Sequence, residues 1–161
     1  ALEAMHSIKS DLDFHYKIIG GGDQTETVFN IHDLGLINHV SLSPKLRHGE
    51  VLKEIYQSDI FLLPSLEEGF ANVVLEAMAL GTPVISTSCT GMPELLNHKV
   101  NAWLVPPAES GAIANAILEI CHYQQETLKA ITTNAQELVR NNLLWENQIH
   151  DYINWYKKGL E

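Results

Sequence analysis

The sequence predicts an α/β domain with a Rossmann-like, doubly wound parallel sheet. Short apolar segments of strand character alternate with amphipathic segments of helical period along the whole chain. The length of 161 residues and the apolar share of 45% allow one domain with its own hydrophobic core. This alternation is typical of right-handed β-α-β crossovers and of a parallel sheet that helices cover on both faces. Ligands of such sheets bind beyond the carboxyl ends of the strands.

The first half of the chain contains three predicted helices and three predicted strands. The opening helix has Leu2, Met5 and Ile8 at helical spacing, and the first strand stops at the glycines of the range Gly20–Gly22. The third strand, DIFLLPS, is apolar throughout and is expected to be buried on both faces. The predicted helices span residues 1–9, 24–34 and 49–57, and the predicted strands span residues 14–19, 39–43 and 59–65.

The second half continues the alternation and then becomes helical. A helix predicted over residues 70–80 ends at Gly81, which suits a C-terminal cap, and Pro83 prevents its continuation. Strands are predicted over 83–87 and 101–105, followed by helices over 110–123, 126–140 and 145–157. The last helix has an apolar stripe that is large for an exposed surface, formed by Trp145, Ile149, Tyr152, Ile153 and Tyr156.

Charge and cysteine content exclude several classes of function. The net charge of −10 argues against non-specific nucleic-acid binding but not against an anionic small molecule, because backbone amides can bind phosphate. Cys89 and Cys121 have neither metal-ligand spacing nor the density of a disulfide scaffold, so both are expected to be buried thiols in a reducing compartment. No metal-ligand pattern, signal peptide or membrane-length apolar run is found, which predicts a cytoplasmic protein. Peripheral association of the full-length protein with a membrane stays open.

The segment EEGFANVVLEAMALGTPVIST, Glu67–Thr87, predicts an anion site. A helix that begins directly after a strand and a short loop points its first free amides toward the carboxyl edge of the sheet. Gly69 would let a phosphate approach the backbone closely. The amides expected to bind it are those of Phe70, Ala71, Asn72 and Val73.

The same helix carries an acidic residue on a stripe distinct from its apolar one. Asn72, Glu76 and Ala79 share that stripe, and Glu76 lies about 9 Å along the axis from the helix start. A diphosphate on the amides would bring a ribose near Glu76, whose carboxylate can accept hydrogen bonds from two vicinal hydroxyls. The alternative is a surface helix former preceded by a solvated acidic turn at Glu67 and Glu68, and periodicity does not decide between them.

The motif resembles the signature of glycosyltransferase family 4, a large group of retaining enzymes with the GT-B fold. That signature has two glutamates separated by seven residues, and Glu68 and Glu76 match the spacing. Further segments resemble the family in the same order, so the likeness covers nearly the whole chain: FHYKIIGGGD, LGLINHVSLS, IYQSDIFLLPS, TGMPELLNHKVNAWLVPP and LLWENQIHDYINWYKK.

The resemblance implies a site for a nucleotide-diphosphate sugar. Glu76 would bind the ribose hydroxyls, and Glu68 would contact and orient the transferred sugar as the catalytic glutamate. The loop of Gly20, Gly21 and Gly22 would line the pocket near the sugar, and that of Ser43 and Pro44 near the base. Family members work as hexosyltransferases with retention of anomeric configuration and without a cofactor or metal ion. Their acceptors are sugars or lipid-linked sugars in glycan or glycolipid biosynthesis.

The sequence also departs from the family pattern. Ala71 and Ala102 stand where many members have glycine, and both replacements are small. The cationic residues that grip the diphosphate, a central strand and the acceptor domain would all precede Ala1. We therefore expect residues 1–161 to be a C-terminal donor domain, incomplete at its N-terminus and including the crossing helix 145–157. Alone, it is expected to bind nucleotide diphosphates weakly, to transfer no sugar and to self-associate.

Other functions stay open at this point. A nucleotide-sugar epimerase of the same fold would use a similar ribose-binding glutamate, and a non-catalytic carbohydrate- or nucleotide-binding module is the simplest alternative. A dinucleotide-dependent dehydrogenase is disfavoured because the third glycine of GxGxxG would fall at Thr25. Product analysis separates these classes by showing sugar transfer, an epimerised donor or no reaction.

Overall fold

The structure is a computed structural model that describes residues 1–68, 71–89 and 91–143. The predicted alternation of helices and strands is confirmed over these ranges, whereas the helix predicted over 145–157 lies outside them. The helices are α1 (Leu2–Ile8), α2 (Thr25–Asp33), α3 (His48–Tyr56), α4 (Asn72–Leu80), α5 (Met92–Leu95), α6 (Ser110–His122) and α7 (Gln125–Leu138), the last continued by a π-helical turn, Val139–Leu143. The strands are β1 (Tyr16–Ile19), β2 (Val40–Ser43), β3 (Phe61–Leu63), β4 (Val84–Thr87) and β5 (Trp103–Val105).

The described strands are all parallel, as predicted, but they form two sheets where one was expected. β1 pairs with β2, with Tyr16 opposite Val40, and β4 lies between β3 and β5 in the second sheet. Side chains from both sheets, among them Ile18, Leu62 and Ile85, belong to one apolar cluster. The two sheets are therefore joined by side-chain packing and not by a hydrogen-bonded ladder between the described strands.

Helices cover both faces of the sheets, which confirms the doubly wound arrangement. Consecutive residues of β4 show this, because Ile85 packs with α1 and α6 whereas Val84 packs with α4 and α7. The first cluster has Trp103 at its centre, with no exposed surface, and the second has Val74 and Met78. The carboxyl ends of the strands, where a ligand could bind, therefore lie between these two apolar clusters.

Two burial predictions need correction. β3 was expected to be buried on both faces, but Phe61, Leu62 and Leu63 are only half-buried because β3 is an edge strand among those described. Cys121 was expected to be buried, yet it is exposed because it lies in the last turn of α6, directly after the buried Ile120. Cys89 is buried as predicted.

The end of α4 follows the predicted capping pattern. Gly81 adopts the left-handed conformation with φ 79°, and its amide donates to the carbonyl of Met78 at 3.0 Å. The buried Thr82 hydroxyl then donates to the carbonyl of Ile55 at 3.0 Å, which ties the connection between α4 and β4 to the end of α3. A left-handed residue followed by Pro83 ends the helix as the sequence analysis expects.

Candidate functional site

The two loops predicted to line a donor pocket lie side by side. Ile19 is opposite Ser43 in the β1–β2 register, and the Gly20 amide donates to the Ser43 carbonyl at 3.1 Å. A side chain at Gly21 would lie 3.6 Å from the Cβ of Lys45, so the backbones beyond the strands are close. Gly22 has φ 97°, a conformation suited to glycine. The structure thus brings Gly20–Gly22 and Ser43–Pro44 to one edge.

The loop after β3 holds Glu68 through a chain of hydrogen bonds. Thr87, at the end of β4, donates its hydroxyl to the Ser65 carbonyl at 2.5 Å. The Ser65 hydroxyl donates to Glu68 Oε2 at 3.3 Å. Glu68 is half-buried, whereas the neighbouring Glu67 is exposed. This arrangement favours a positioned carboxylate at Glu68 over a solvated acidic turn.

The start of α4 lies where the sequence predicts an anion site. The helix begins at Asn72 after a buried, extended Ala71, and the Val74 amide donates to the Ala71 carbonyl at 2.9 Å. The amides of Asn72 and Val73 belong to the first turn, where no intrahelical acceptor exists. The predicted contributions of Gly69 and Phe70 lie outside the described residues and stay predictions.

Glu76 forms a hydrogen bond that the sequence analysis did not anticipate. Its Oε1 lies 2.8 Å from Nε2 of His48, the first residue of α3. The Glu76 side chain is 28% exposed and that of His48 is 70% exposed, so the pair lies at the surface with the carboxylate on the inner side. The two residues are 28 positions apart. No local pattern in the sequence joins them, since the contact arises from the packing of α3 on α4.

The two glutamates of the motif are held separately, Glu68 by Ser65 and Glu76 by His48. The two carboxylates therefore have different hydrogen-bond partners, one in the loop after β3 and one at the start of α3. An arrangement of a helix N-terminus, a glycine loop and two separated carboxylates can bind a phosphate group at one point and hydroxyl groups at two others.

Two other carboxylates near these loops accept hydrogen bonds from backbone amides at the starts of helices. The hydroxyl and the amide of Thr25 donate to Asp23 and hold the pKa of that carboxyl below its usual range. The Arg47 guanidinium, 3.0 Å from Glu50, lowers the pKa of that carboxyl in the same way. Asp23 thus holds the first residue of α2 from outside the helix, and the pair of Arg47 and Glu50 forms a capping box at the start of α3.

Two kinds of feature are absent from the described residues. No three His, Cys, Asp or Glu side chains within them are grouped as the ligands of a metal ion would be. None of the helices in this part of the chain has the length and apolar character needed to cross a bilayer.

Comparison with known proteins identifies the family. The family model described as Glycosyl transferases group 1 matches residues 1–138. The chain belongs to this family. The resemblance to a glycosyltransferase family found in the sequence is confirmed.

Curated relatives within group 1 are longer proteins. A putative colanic acid biosynthesis glycosyltransferase of Salmonella typhimurium is 31% identical over 147 residues, which are 86% of this chain and 36% of that protein. An amylovoran biosynthesis glycosyltransferase of Erwinia amylovora is 34% identical over 139 residues, which are 81% of this chain and 34% of that protein. The chain thus spans about a third of the length of these two relatives.

Solved glycosyltransferases share the fold. HepE from Anabaena, in complex with UDP-glucose, is 27% identical with a TM-score of 0.77, over 86% of this chain and 39% of HepE. A glycosyltransferase from Rickettsia africae has a TM-score of 0.88 over 99% of this chain and 43% of that protein, at 23% identity. The Rossmann-like half of a GT-B fold predicted from the sequence is therefore confirmed.

Proposed function

We propose that this chain is the donor-binding domain of a retaining, metal-independent glycosyltransferase. It would take a sugar from a nucleotide-diphosphate sugar for transfer to a sugar or lipid-linked acceptor in glycan or glycolipid biosynthesis. Membership of group 1 and the names of the two bacterial relatives support this class. The UDP-glucose bound to HepE supports a nucleotide sugar as the donor.

The observation that carries the proposal is the placement of the two motif glutamates. Glu68 and Glu76 are both partly buried, and each is held by one hydrogen bond from a neighbouring element or loop. A carboxylate in such a position is costly unless it meets a partner or a ligand. We assign Glu76 to the ribose diol and Glu68 to hydroxyls of the transferred sugar.

The proposed chemistry relies on oriented backbone groups. The developing charge of the leaving diphosphate would be stabilised by the first amides of α4, together with cationic side chains of the whole enzyme. Glu68 would hold the sugar so that the acceptor hydroxyl oxygen bonds to the anomeric carbon on the face from which the diphosphate leaves. The bond from that carbon to the diphosphate oxygen would break, the hydroxyl proton would pass to the departing phosphate, and the configuration would be retained. Transfer activity that survives exhaustive chelation would agree with metal independence, and its loss and recovery on adding a divalent ion would contradict it.

The assignment can be tested with three glutamate variants. Glu76→Gln weakens two charge-assisted hydrogen bonds and is expected to lower nucleoside-diphosphate affinity at least tenfold, about 1.4 kcal/mol. Glu68→Gln should leave that affinity nearly unchanged but remove the additional affinity conferred by the sugar of a nucleotide sugar. The exposed neighbour provides the control, since Glu67→Gln should change neither.

The measurements are binding titrations of this chain with UDP, GDP and ADP and with their glucose and mannose conjugates, and turnover in the full-length enzyme. An unchanged affinity of the Glu76 variant, or a large loss of its melting temperature, would contradict the assignment. Product analysis of the full-length enzyme distinguishes transfer from epimerisation of the donor.

Location and self-association complete the proposal. Cys89 and Cys121 are both free thiols, which agrees with a reducing, cytoplasmic environment.

Large apolar side chains, including Phe29, Tyr56 and Leu66, are exposed by more than half. We therefore expect the isolated chain to self-associate, whereas a monomer in light scattering at high concentration would contradict this.

A further inference from the structure

The contact between His48 and Glu76 links the two sides of the proposed nucleotide site. His48 opens α3 shortly after the Ser43–Pro44 loop, and Glu76 lies in the middle of α4. The two helices pack together through Ile55 and the buried face of α4, which includes Val74 and Ala77. The Nε2–Oε1 distance of 2.8 Å is that of a well-formed hydrogen bond. The ribose-side carboxylate is thus tied to the helix that follows the predicted base-side loop.

The bond leaves the carboxylate able to bind a diol. A carboxylate offers about four lone-pair positions on its two oxygens, and the imidazole occupies one of them on Oε1. A free glutamate side chain samples many rotamers, and a ligand that needs one orientation bears the cost of fixing it. A bond from His48 fixes that orientation before the nucleotide arrives.

The charged residue next to His48 has another partner. Arg47, which precedes His48, is bonded to Glu50 at the start of α3. The first and last turns of α4 contain no charged residue. Within the described ranges, the Glu76 carboxylate is hydrogen-bonded to His48.

We propose that His48 is a positioning residue for donor binding, which orients the Glu76 carboxylate toward the vicinal hydroxyls of the ribose. This inference depends on the proposed function, in which Glu76 meets that diol. His48 acts through Glu76, and the imidazole keeps its bond to Oε1 while the hydroxyls donate to the remaining lone pairs. The ribose specificity of the site then depends on a residue outside the glutamate motif.

The test compares a ribonucleotide with its 2′-deoxy counterpart. Because His48 acts on the bond between Glu76 and the diol, His48→Ala should weaken UDP binding about three- to tenfold, the effect of one hydrogen bond. Its effect on 2′-deoxy-UDP should be less than about twofold, since half of the diol is absent. His48→Gln keeps an N–H donor and should restore most of the UDP affinity. If GDP or ADP binds more tightly in the nucleotide panel, that nucleotide and its deoxy form replace the uridine pair.

A matched control uses another exposed histidine with a hydrogen bond. His15, just before β1, lies 2.8 Å from the Ser41 hydroxyl at the opposite end of the sheet. His15→Ala should change neither affinity. Thermal melts of all variants report on folding, and the NMR signals of the His48 ring should shift on addition of UDP.

The outcomes separate this inference from the proposed function. In the Glu76→Gln background, His48→Ala should have no further effect on UDP affinity. If Glu76→Gln weakens UDP binding and His48→Ala does not, the positioning role is wrong and the proposed function stands. Equal losses for UDP and 2′-deoxy-UDP also overturn the positioning role. If no nucleotide binds to the unaltered protein, or if Glu76→Gln leaves nucleotide affinity unchanged, the proposed function and the positioning role of His48 are both overturned.

Discussion

Replacing Thr87 by valine tests how the end of β4 supports the loop that carries Glu68. The Thr87 side chain is 1% exposed, and its hydroxyl donates to the carbonyl of Ser65. Ser65 in turn donates to Glu68 at 3.3 Å. Valine has nearly the same volume and shape, so the substitution removes the hydrogen bond without opening a cavity.

The expected loss follows from the part-buried carbonyl of Ser65 that remains. An acceptor left without its donor costs about 1–3 kcal/mol, and the added apolar burial of the valine methyl offsets about 1 kcal/mol. We therefore expect the free energy of unfolding to fall by about 1 kcal/mol, with about 2 kcal/mol as the upper bound. For a chain of this length that lowers the melting temperature by about 2–8 °C.

A second buried threonine provides the control. Thr82 is 5% exposed and donates to the Ile55 carbonyl at 3.0 Å, away from the glutamate loop. Thr82→Val should cause a similar loss of stability, measured by thermal and urea unfolding. Thr87→Val alone should also reduce the additional affinity of a nucleotide sugar over its nucleotide, because Glu68 loses its support. Equal ligand affinities in the two variants, or an unchanged stability of Thr87→Val, would refute this reasoning.

Two further predictions concern the fold. Burial raises the pKa of Tyr16 from 10.0 to about 12, so the neutral phenol stabilises the folded state fully below pH 10 and this contribution is lost as the pH rises toward 12. Urea unfolding at about pH 9 and about pH 11.5 should show a loss of about 2 kcal/mol that Tyr16→Phe abolishes, whereas an equal loss in the variant would assign it to other groups. Gly81→Ala should destabilise by about 1–2 kcal/mol in the same assay because φ is 79° and the new Cβ would meet Gln136 at 2.9 Å. Gly111→Ala, with no atom within 4 Å, should not destabilise, and equal effects of the two changes would contradict the conformational argument.

The sequence correctly predicts the helix positions and helix ends that depend on local periodicity and turn chemistry. Gly81 and Pro83 define the end of α4, and apolar spacing locates α1, α3 and α6 within a residue or two. The short helix α5, Met92–Leu95, was not predicted, because four residues are too few to show a helical period.

Features that depend on packing were missed or misjudged. The half-burial of β3 is set by the absence of a second neighbour among the described strands, which an apolar run such as DIFLLPS cannot indicate. The contact of His48 with Glu76 joins two helices 28 residues apart, and either residue alone resembles an ordinary surface position. The glutamate spacing was found because it repeats a known motif, and the histidine was missed because no such motif includes it.

The division of the described strands into two sheets separates the candidate-site loops into two groups. The loops at Gly20–Gly22 and Ser43–Pro44 extend from one sheet, and the loop with Glu68 extends from the other. Ile18 of the first sheet and Leu62 of the second belong to one apolar cluster. Because close-packed interiors transmit small displacements, a methylene added or removed at either position is expected to move one group of loops relative to the other. Core residues that touch no ligand can therefore influence the geometry of the candidate site.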